Sequence, residues 1–254
     1  MYDFPHLATL AAGVLATSFV SGIFGMAGGM LLMGILLAIM PLAAAMALHG
    51  VTQMASNGWR AWLWRTHIRW PIVLRFAAGS LVAAALLAVV AARPSKPVAL
   101  LILGVTPFIG LRLPVALRLN VARPAHAALS GAICMTMQLL AGVSGPILDV
   151  FFVQSGLERR GIVATKAAVQ ALGHALKLAY FGTLLASDGG SLPPDLVAAA
   201  VVLALVGTQG SRRVVDLISD AQFLRWSRRL IVGISVAYLL QGSALLIGAV
   251  VPSA

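Results

Sequence analysis

Apolar segments of roughly membrane-spanning length follow one another through this sequence, with only short polar breaks between them. A helix needs about 20 mostly apolar residues to cross the hydrocarbon core of a bilayer. Only 10% of the residues are charged, whereas about a quarter are charged in a soluble domain. The sequence therefore predicts an all-α integral membrane protein, a polytopic helical bundle without a separate soluble domain. The apolar segments lie at 7–24, 30–40, 42–64, 71–92, 97–113, 124–141, 147–156, 161–186, 195–211 and 230–251.

The basic residues predict how the chain is oriented. Lysine and arginine number 18 against 7 acidic residues, a net charge of +11. In a soluble protein this excess would suggest nucleic acid, but in a membrane protein Lys and Arg collect in cytoplasmic loops. We therefore expect a lipid bilayer and no nucleic acid as partner. Four loops are predicted to be cytoplasmic because they carry Arg60, Arg65, Arg69 and Arg75; Arg112, Arg118 and Arg123; Arg159 and Arg160; and Arg212, Arg213, Arg225, Arg228 and Arg229.

The remaining connections are predicted to face outward from a bacterial-type inner membrane. Both termini and the loop 187–194 lack basic residues. Arg93 and Lys96 are an exception, because chain order places their loop outside as well. Met1–His6 has no basic residue before the first apolar segment, so it is not typical of a cleavable signal peptide.

The sequence contains no pattern typical of an enzyme or of a cofactor-binding protein. It lacks a nucleophile–base triad, a zinc-ligand cluster, a phosphate-binding Walker loop and a dinucleotide fingerprint. Its single cysteine, Cys134, lies in an apolar segment without neighbouring metal ligands. We expect no enzymatic activity, no cofactor and no bound metal.

Two glycine-rich breaks interrupt apolar segments, at Gly25–Gly29 and at Gly142–Pro146. Each is followed by a short helix of about half a span, predicted at Met30–Met40 and Ile147–Gly156. With the basic loops inside, each half of the chain contains one broken hairpin plus three spans. Whether the hairpins are re-entrant or full passes is left open. The odd number of crossings per half predicts two inverted repeats, residues 1–121 and 122–254, as in many secondary transporters.

Polar residues support the repeat. A shift of 117 positions places the glycines of the two breaks on one another, and it also matches polar side chains in the following helices. In both copies the polar residues are spaced by four, four and three, which keeps them on one helix face. Such a face is typical of a polar path through a membrane protein. The matched residues are His49 with Lys166, Gln53 with Gln170, Asn57 with His174, and Arg60 with Lys177.

The breaks and the polar faces together predict an anion site at the bilayer midplane. Helix N-termini present unpaired N–H groups that bind anions, although close packing through small residues is an alternative explanation for the glycines. The predicted substrate-binding residues are Gly25, Gly28, Gly29, Gln53, Asn57, Gly142, Ser144, Gly145, Gln170 and His174. Arg60 and Lys177 are predicted to gather anions in two vestibules, with snorkelling as an alternative for Arg60.

Coupling to protons or to the membrane potential is the remaining hypothesis. His49 and His174 are candidate titrating groups, since histidine ordinarily changes charge between about pH 5 and 8. Asp149 lies deep in an apolar segment, where it either caps a helix N-terminus or forms a proton site with His174 or Lys166. A homo-oligomer is compatible with the sequence but not required by it.

The two breaks and the helices after them resemble the sulfite exporter TauE/SafE family of membrane permeases. The resemblance rests on SGIFGMAGGMLL followed by HGVTQMASNGWRAW, and on LLAGVSGPIL followed by ATKAAVQALGHALKLAYFG. It implies transport of small sulfur-containing anions such as sulfite or sulfonates. We therefore predict a secondary transporter for a small anion. The alternatives are a membrane scaffold or anchor subunit and a cation or metal permease.

Overall fold

A computed structural model describes residues 4–114, 119–215, 217 and 219–250. Its described residues form ten α-helices and a 3-10 turn at Arg65–His67, with no β-strand. Each helix corresponds to one of the apolar segments predicted from sequence. The helices are α1 Phe4–Phe24, α2 Met26–Ile39, α3 Leu42–Leu63, α4 Trp70–Val89, α5 Lys96–Arg112, α6 Pro124–Ala141, α7 Gly145–Phe152, α8 Arg159–Ser187, α9 Pro194–Val215 and α10 Asp220–Val250.

Four of the described helices are long and apolar enough to cross a membrane. They are His6–Phe24, Trp70–Val89, Pro194–Val214 and Ala221–Gly248. α3 and α8 contain 22 and 29 residues, which is also sufficient length at about 1.5 Å per residue. These two helices carry the polar faces and are less apolar for that reason.

α3 and α8 form the centre of the bundle, and they pack along each other more extensively than any other pair of described helices. Around them α1 packs against α9, α4 packs against α6, and α5 packs against α10. The polar faces of α3 and α8 are therefore turned towards protein instead of lipid. This arrangement meets the requirement that polar groups at membrane depth be enclosed by protein.

Both glycine breaks are present, but their boundaries differ from the prediction. Gly25 follows the end of α1 with a φ of +63°, and Gly142 follows the end of α6 with a φ of +85°. Residues other than glycine rarely adopt a positive φ, because their Cβ atom clashes with the backbone. α2 restarts at Met26, so Gly28 and Gly29 are helical and not part of the break. α7 has only 8 residues and ends at Phe152. At about 1.5 Å per residue it is about 12 Å long, well short of a span.

Contacts between loops place the basic segments at one end of the bundle. Backbone N–H of Arg69 donates to Thr165 near the start of α8, at 3.0 Å. The loop before α6 reaches the end of α7, where the Asn120 amide donates to the Gln154 carbonyl oxygen at 2.7 Å. The end of α3 meets α9 through Trp59 and Gln209, at 3.0 Å.

Arg93, the exception in the sequence analysis, lies at the opposite end of the bundle. Its guanidinium group forms an ion pair with Asp188 at 2.9 Å. The two loops that chain order assigns to the outside are thus neighbours. The predictions for Met1–Asp3 and Arg118 fall outside the described residues.

Candidate functional site

The two glycine breaks meet in the interior and enclose a small polar cavity, called here the first cavity. It has room for about one water molecule. Most of the predicted substrate-binding residues line it, together with two of the predicted pathway residues. The lining includes Gly25, Gly29, Gln53, Ser144, Gly145, Gln170, His174, His49 and Arg60. In this conformation the cavity is too small for a ligand larger than a water molecule.

The N-terminal ends of α2 and α7 touch each other at this cavity. A Cβ atom added to Gly145 would lie 2.6 Å from the Cβ of Met26. A Cβ atom on Gly29 would lie 3.2 Å from Oε1 of Gln53. These glycines let two helix ends and a glutamine amide converge, so that the positive ends of both helix dipoles point to one place.

Gly28 and Asn57, two of the predicted substrate residues, are not among the residues that line the first cavity. A Cβ atom on Gly28 would lie 2.2 Å from the backbone oxygen of Thr17, so this glycine permits close packing of α2 on α1. Close packing, the alternative explanation for the glycines, applies here. Asn57 donates to the Gln53 carbonyl oxygen at 2.8 Å and accepts from Arg60. Its amide therefore holds the Arg60 guanidinium group at the cavity without lining the cavity itself.

Gly142 has a structural role beside the cavity. A Cβ atom there would lie 2.7 Å from the sulfur of Met33 and 2.8 Å from that of Met46. With its positive φ, the position is restricted to glycine by backbone conformation and by space. Its carbonyl oxygen points to Lys177, which donates to it at 2.9 Å.

Arg60 lines the first cavity and does not snorkel out of the bundle. Its guanidinium group donates to Oδ1 of Asn57 and, at 3.4 Å, to the Ser21 carbonyl oxygen. Nε is buried without a hydrogen-bond partner. The vestibule role of Arg60 stays a prediction: in the structure the guanidinium group lies at the wall of the first cavity, hydrogen-bonded to Asn57 and to the Ser21 carbonyl oxygen of α1.

Lys177 does not lie in an open vestibule in this structure, because its side chain is 0% exposed. Its ammonium group contacts Nδ1 of His49 at 2.6 Å as well as the Gly142 carbonyl oxygen. Nε2 of His49 contacts the Gly29 carbonyl oxygen at 2.8 Å. Lys177 and His49 thus link the beginning of α2 to the break after α6.

The two candidate titrating histidines are neighbours. The rings of His49 and His174 have centroids 5.3 Å apart, and both side chains are buried. Asp149 forms an ion pair with Lys166 in which both side chains are partly exposed. Of the two partners considered for Asp149, the structure thus pairs it with Lys166.

Several polar groups that have no hydrogen-bond partner surround the first cavity. In the described part of the chain, Gln53 Nε2 and Arg60 Nε are buried donors without a partner, and His174 Nδ1, whose role depends on the ring tautomer, has none either. The residues lining the cavity include no aspartate or glutamate. Among the described residues no group of three or more His, Cys, Asp or Glu side chains is placed to hold a metal ion. This chemistry suits an anion better than a cation.

Four residues at or beside the cavity were not among the predicted site residues. Ser21, Met26 and Val143 line it, and Gln138 accepts a hydrogen bond from the Ser144 hydroxyl at 2.7 Å. Gln138 could have been found, because it is a polar residue in an apolar helix four positions before the second break. Met26 carried no such signal, since its role depends on the contact with Gly145.

A family model described as sulfite exporter TauE/SafE matches residues 9–239. The chain belongs to the TauE/SafE family. The match includes both breaks and the helices α3 and α8 that wall the first cavity. TauE/SafE proteins are membrane transporters and not enzymes, so this chain is a multi-pass membrane protein of a permease family. Comparisons with curated proteins and with solved structures gave no match.

Proposed function

We propose that this TauE/SafE protein is a secondary permease for a small oxyanion, of the class of sulfite or a sulfonate, and that the first cavity is its substrate site. The observation that carries the proposal is the donor-rich lining of a cavity between two broken helices. An anion that enters the bundle loses its water and needs donors in return. Gln53 and Gln170 offer neutral amides, Arg60 offers one positive charge, and the ends of α2 and α7 offer dipoles.

The combination of one charged donor and several neutral donors fits a substrate that has to be bound and then released. One guanidinium group attracts an anion, while its own hydrogen bonds to Asn57 and the Ser21 carbonyl oxygen hold it in place. The remaining donors are neutral, so the site does not surround the anion with several full charges that would retain it. A cation would find no carboxylate in the lining.

We further propose that residues 1–121 and 122–254 are two inverted repeats. The first residues of α3 and α8 are 117 positions apart, and the positive-φ glycines Gly25 and Gly142 are separated by the same number of positions. If the halves are equivalent, α1 corresponds to α6 and α4 corresponds to α9. The α1–α9 interface is then the counterpart of the α4–α6 interface. Both contain a glycine at the crossing: a Cβ on Gly79 would lie 1.8 Å from the Ala128 oxygen, and one on Gly207 would lie 2.5 Å from the Leu15 oxygen.

The proposed orientation places the basic end of the bundle in the cytoplasm of a bacterial-type cell and both termini outside the inner membrane. Proton coupling is proposed for the buried group formed by His49, His174 and Lys177. In this scheme a change of charge at the histidines alters the hydrogen bonds that link the two breaks. The substrate site would then open only in one charge state of the group.

Flux measurements in proteoliposomes test the function. Purified protein should move radiolabelled sulfite, and unlabelled sulfonate should compete. Arg60→Gln should strongly reduce the uptake, whereas Arg75→Gln, on an exposed position of α4, should leave it unchanged. Absence of any anion flux would favour a scaffold or anchor subunit, and a preference for metal cations would favour a cation permease. Either result would overturn the proposal.

A further inference from the structure

A second cavity, lined by polar and apolar side chains, lies next to the first, between α4, α6, α7 and α8, and is called here the second cavity. It also has room for about one water molecule. Ser80, Cys134, Gln138 and Gly173 line it, and its apolar lining residues are Phe76, Met135, Leu148 and Val169. Ser144 and Gln170 belong to the linings of both cavities.

Gln138 has a donor that the folded chain does not use. Its side chain is 2% exposed, and its Oε1 accepts the Ser144 hydroxyl at 2.7 Å. Nε2 is buried and has no partner. A buried donor left unpaired is unfavourable, because it has lost its hydrogen bonds to water and gained none in return. A group of this kind at a cavity wall is satisfied when a ligand or a water accepts from it.

The neighbours of Gln138 restrict what that ligand can be. Oε1 is already occupied by Ser144, so the free side of the amide is a donor and selects an acceptor. The Ser80 hydroxyl donates to the Gly131 carbonyl oxygen at 3.1 Å. The lining contains no carboxylate. A cation would therefore find no charged ligand here.

Gly173 keeps the second cavity open on the α8 side. A Cβ atom at this position would lie 3.2 Å from Nε2 of Gln138. Any side chain on Gly173 would therefore press against the free amide. The glycine leaves space beside the donor, in the same way that Gly29 leaves space beside Gln53 in the first cavity.

We propose that the second cavity is a second anion subsite, in which Gln138 binds the same class of oxyanion as the first cavity. The inference rests on the proposed transport function. The two subsites are separated by Ser144 and Gln170, so movement of these two side chains would join them and provide the room that an oxyanion needs beyond the volume of one water molecule. Gln138 is then a substrate-binding residue that lies outside the polar faces of α3 and α8.

The single cysteine of the chain provides a local readout. Cys134 is buried and lines the second cavity, so the S–H stretching band in the infrared spectrum reports on this place alone. We expect sodium sulfite, compared with sodium chloride at equal ionic strength, to shift that band in the full-length protein. The shift should disappear in Gln138→Leu and persist in Thr136→Val, whose native hydroxyl bonds only within α6, to the Ala132 carbonyl oxygen.

Transport kinetics provide the second measurement. Loss of one neutral hydrogen bond should raise the KM for sulfite about two- to tenfold in Gln138→Leu, and Thr136→Val should match the wild type. If wild-type protein transports sulfite but the S–H band does not respond, the second cavity holds water only and the inference is wrong, while the proposed function stands. If wild-type protein transports no oxyanion, the proposed function itself fails.

Discussion

Nζ of Lys177 lies 2.6 Å from Nδ1 of His49 at the centre of the bundle. Because the Gly29 carbonyl can only accept, Nε2 of His49 carries a proton and donates to it, which leaves Nδ1 to accept from the lysine. The same lysine donates to the Gly142 carbonyl oxygen. A continuous hydrogen-bonded chain therefore connects the first turn of α2 to the break after α6, and with it the two halves of the protein.

Lys177→Met should destabilise the fold. The change retains most of the side-chain volume but leaves His49 Nδ1 and the Gly142 oxygen unpaired, at a cost of about 1–3 kcal/mol. Lys166→Met is the matched control, because it removes a partly exposed ion pair worth about 0–1 kcal/mol. Thermal unfolding of the purified variants measures the difference. Equal effects of the two changes would mean that the Lys177 chain carries no special stability.

Gln53→Ala and Gln170→Ala should each weaken sulfite binding about two- to tenfold, because each removes a neutral donor from the first cavity. Gln241→Ala, on an exposed face of α10, should bind like the wild type. Titration calorimetry on folded protein distinguishes these cases. Wild-type affinity in both cavity variants would place the substrate elsewhere.

Gly28→Ala should reduce the yield and stability of folded protein, by about 1–3 kcal/mol or more, because the added methyl group would meet the α1 backbone. Gly182→Ala is the control, since no heavy atom lies within 4 Å of the new Cβ. There the gain in helix propensity should stabilise α8 by up to about 1 kcal/mol. Unfolding midpoints in detergent report both effects, and a stable Gly28→Ala protein would contradict the packing.

His174→Gln should flatten the pH dependence of transport between about pH 5 and 8, if the buried histidine pair couples transport to protons. Sulfite changes its own charge in this range, so an alkyl sulfonate of constant charge is the proper substrate. His67→Gln, in the turn after α3, serves as the control. An unchanged pH profile in His174→Gln would exclude this residue as the proton site.

Cysteines placed at Gly190 and at Glu158, in a Cys134→Ser background, should react with membrane-impermeant reagents from opposite sides. Gly190 lies beside the Arg93–Asp188 ion pair, and Glu158 precedes α8 in a basic loop. Labelling of both positions from one side would rule out the proposed topology. The prediction does not depend on the identity of the substrate.

The sequence determined the helical segments, their approximate bounds and the location of both breaks. These features depend on local properties: apolar length, glycine conformation and the spacing of polar residues along a single helix. The same local spacing identified Gln53, Gln170 and His174 as residues that face the interior. The family could also be recognised from these segments alone.

Only the tertiary structure decided which polar groups meet and which are already satisfied. Arg60 and Lys177 occupy matched positions in sequence, yet Arg60 lines the cavity while Lys177 is fully buried in a link between the breaks. Gly28 and Gly145 look alike in sequence, but one packs against α1 and the other against Met26. The reason is that the partners of a buried side chain come from other helices. The spacing of residues along one helix does not specify how the neighbouring helices are rotated or how deeply they are placed in the bundle.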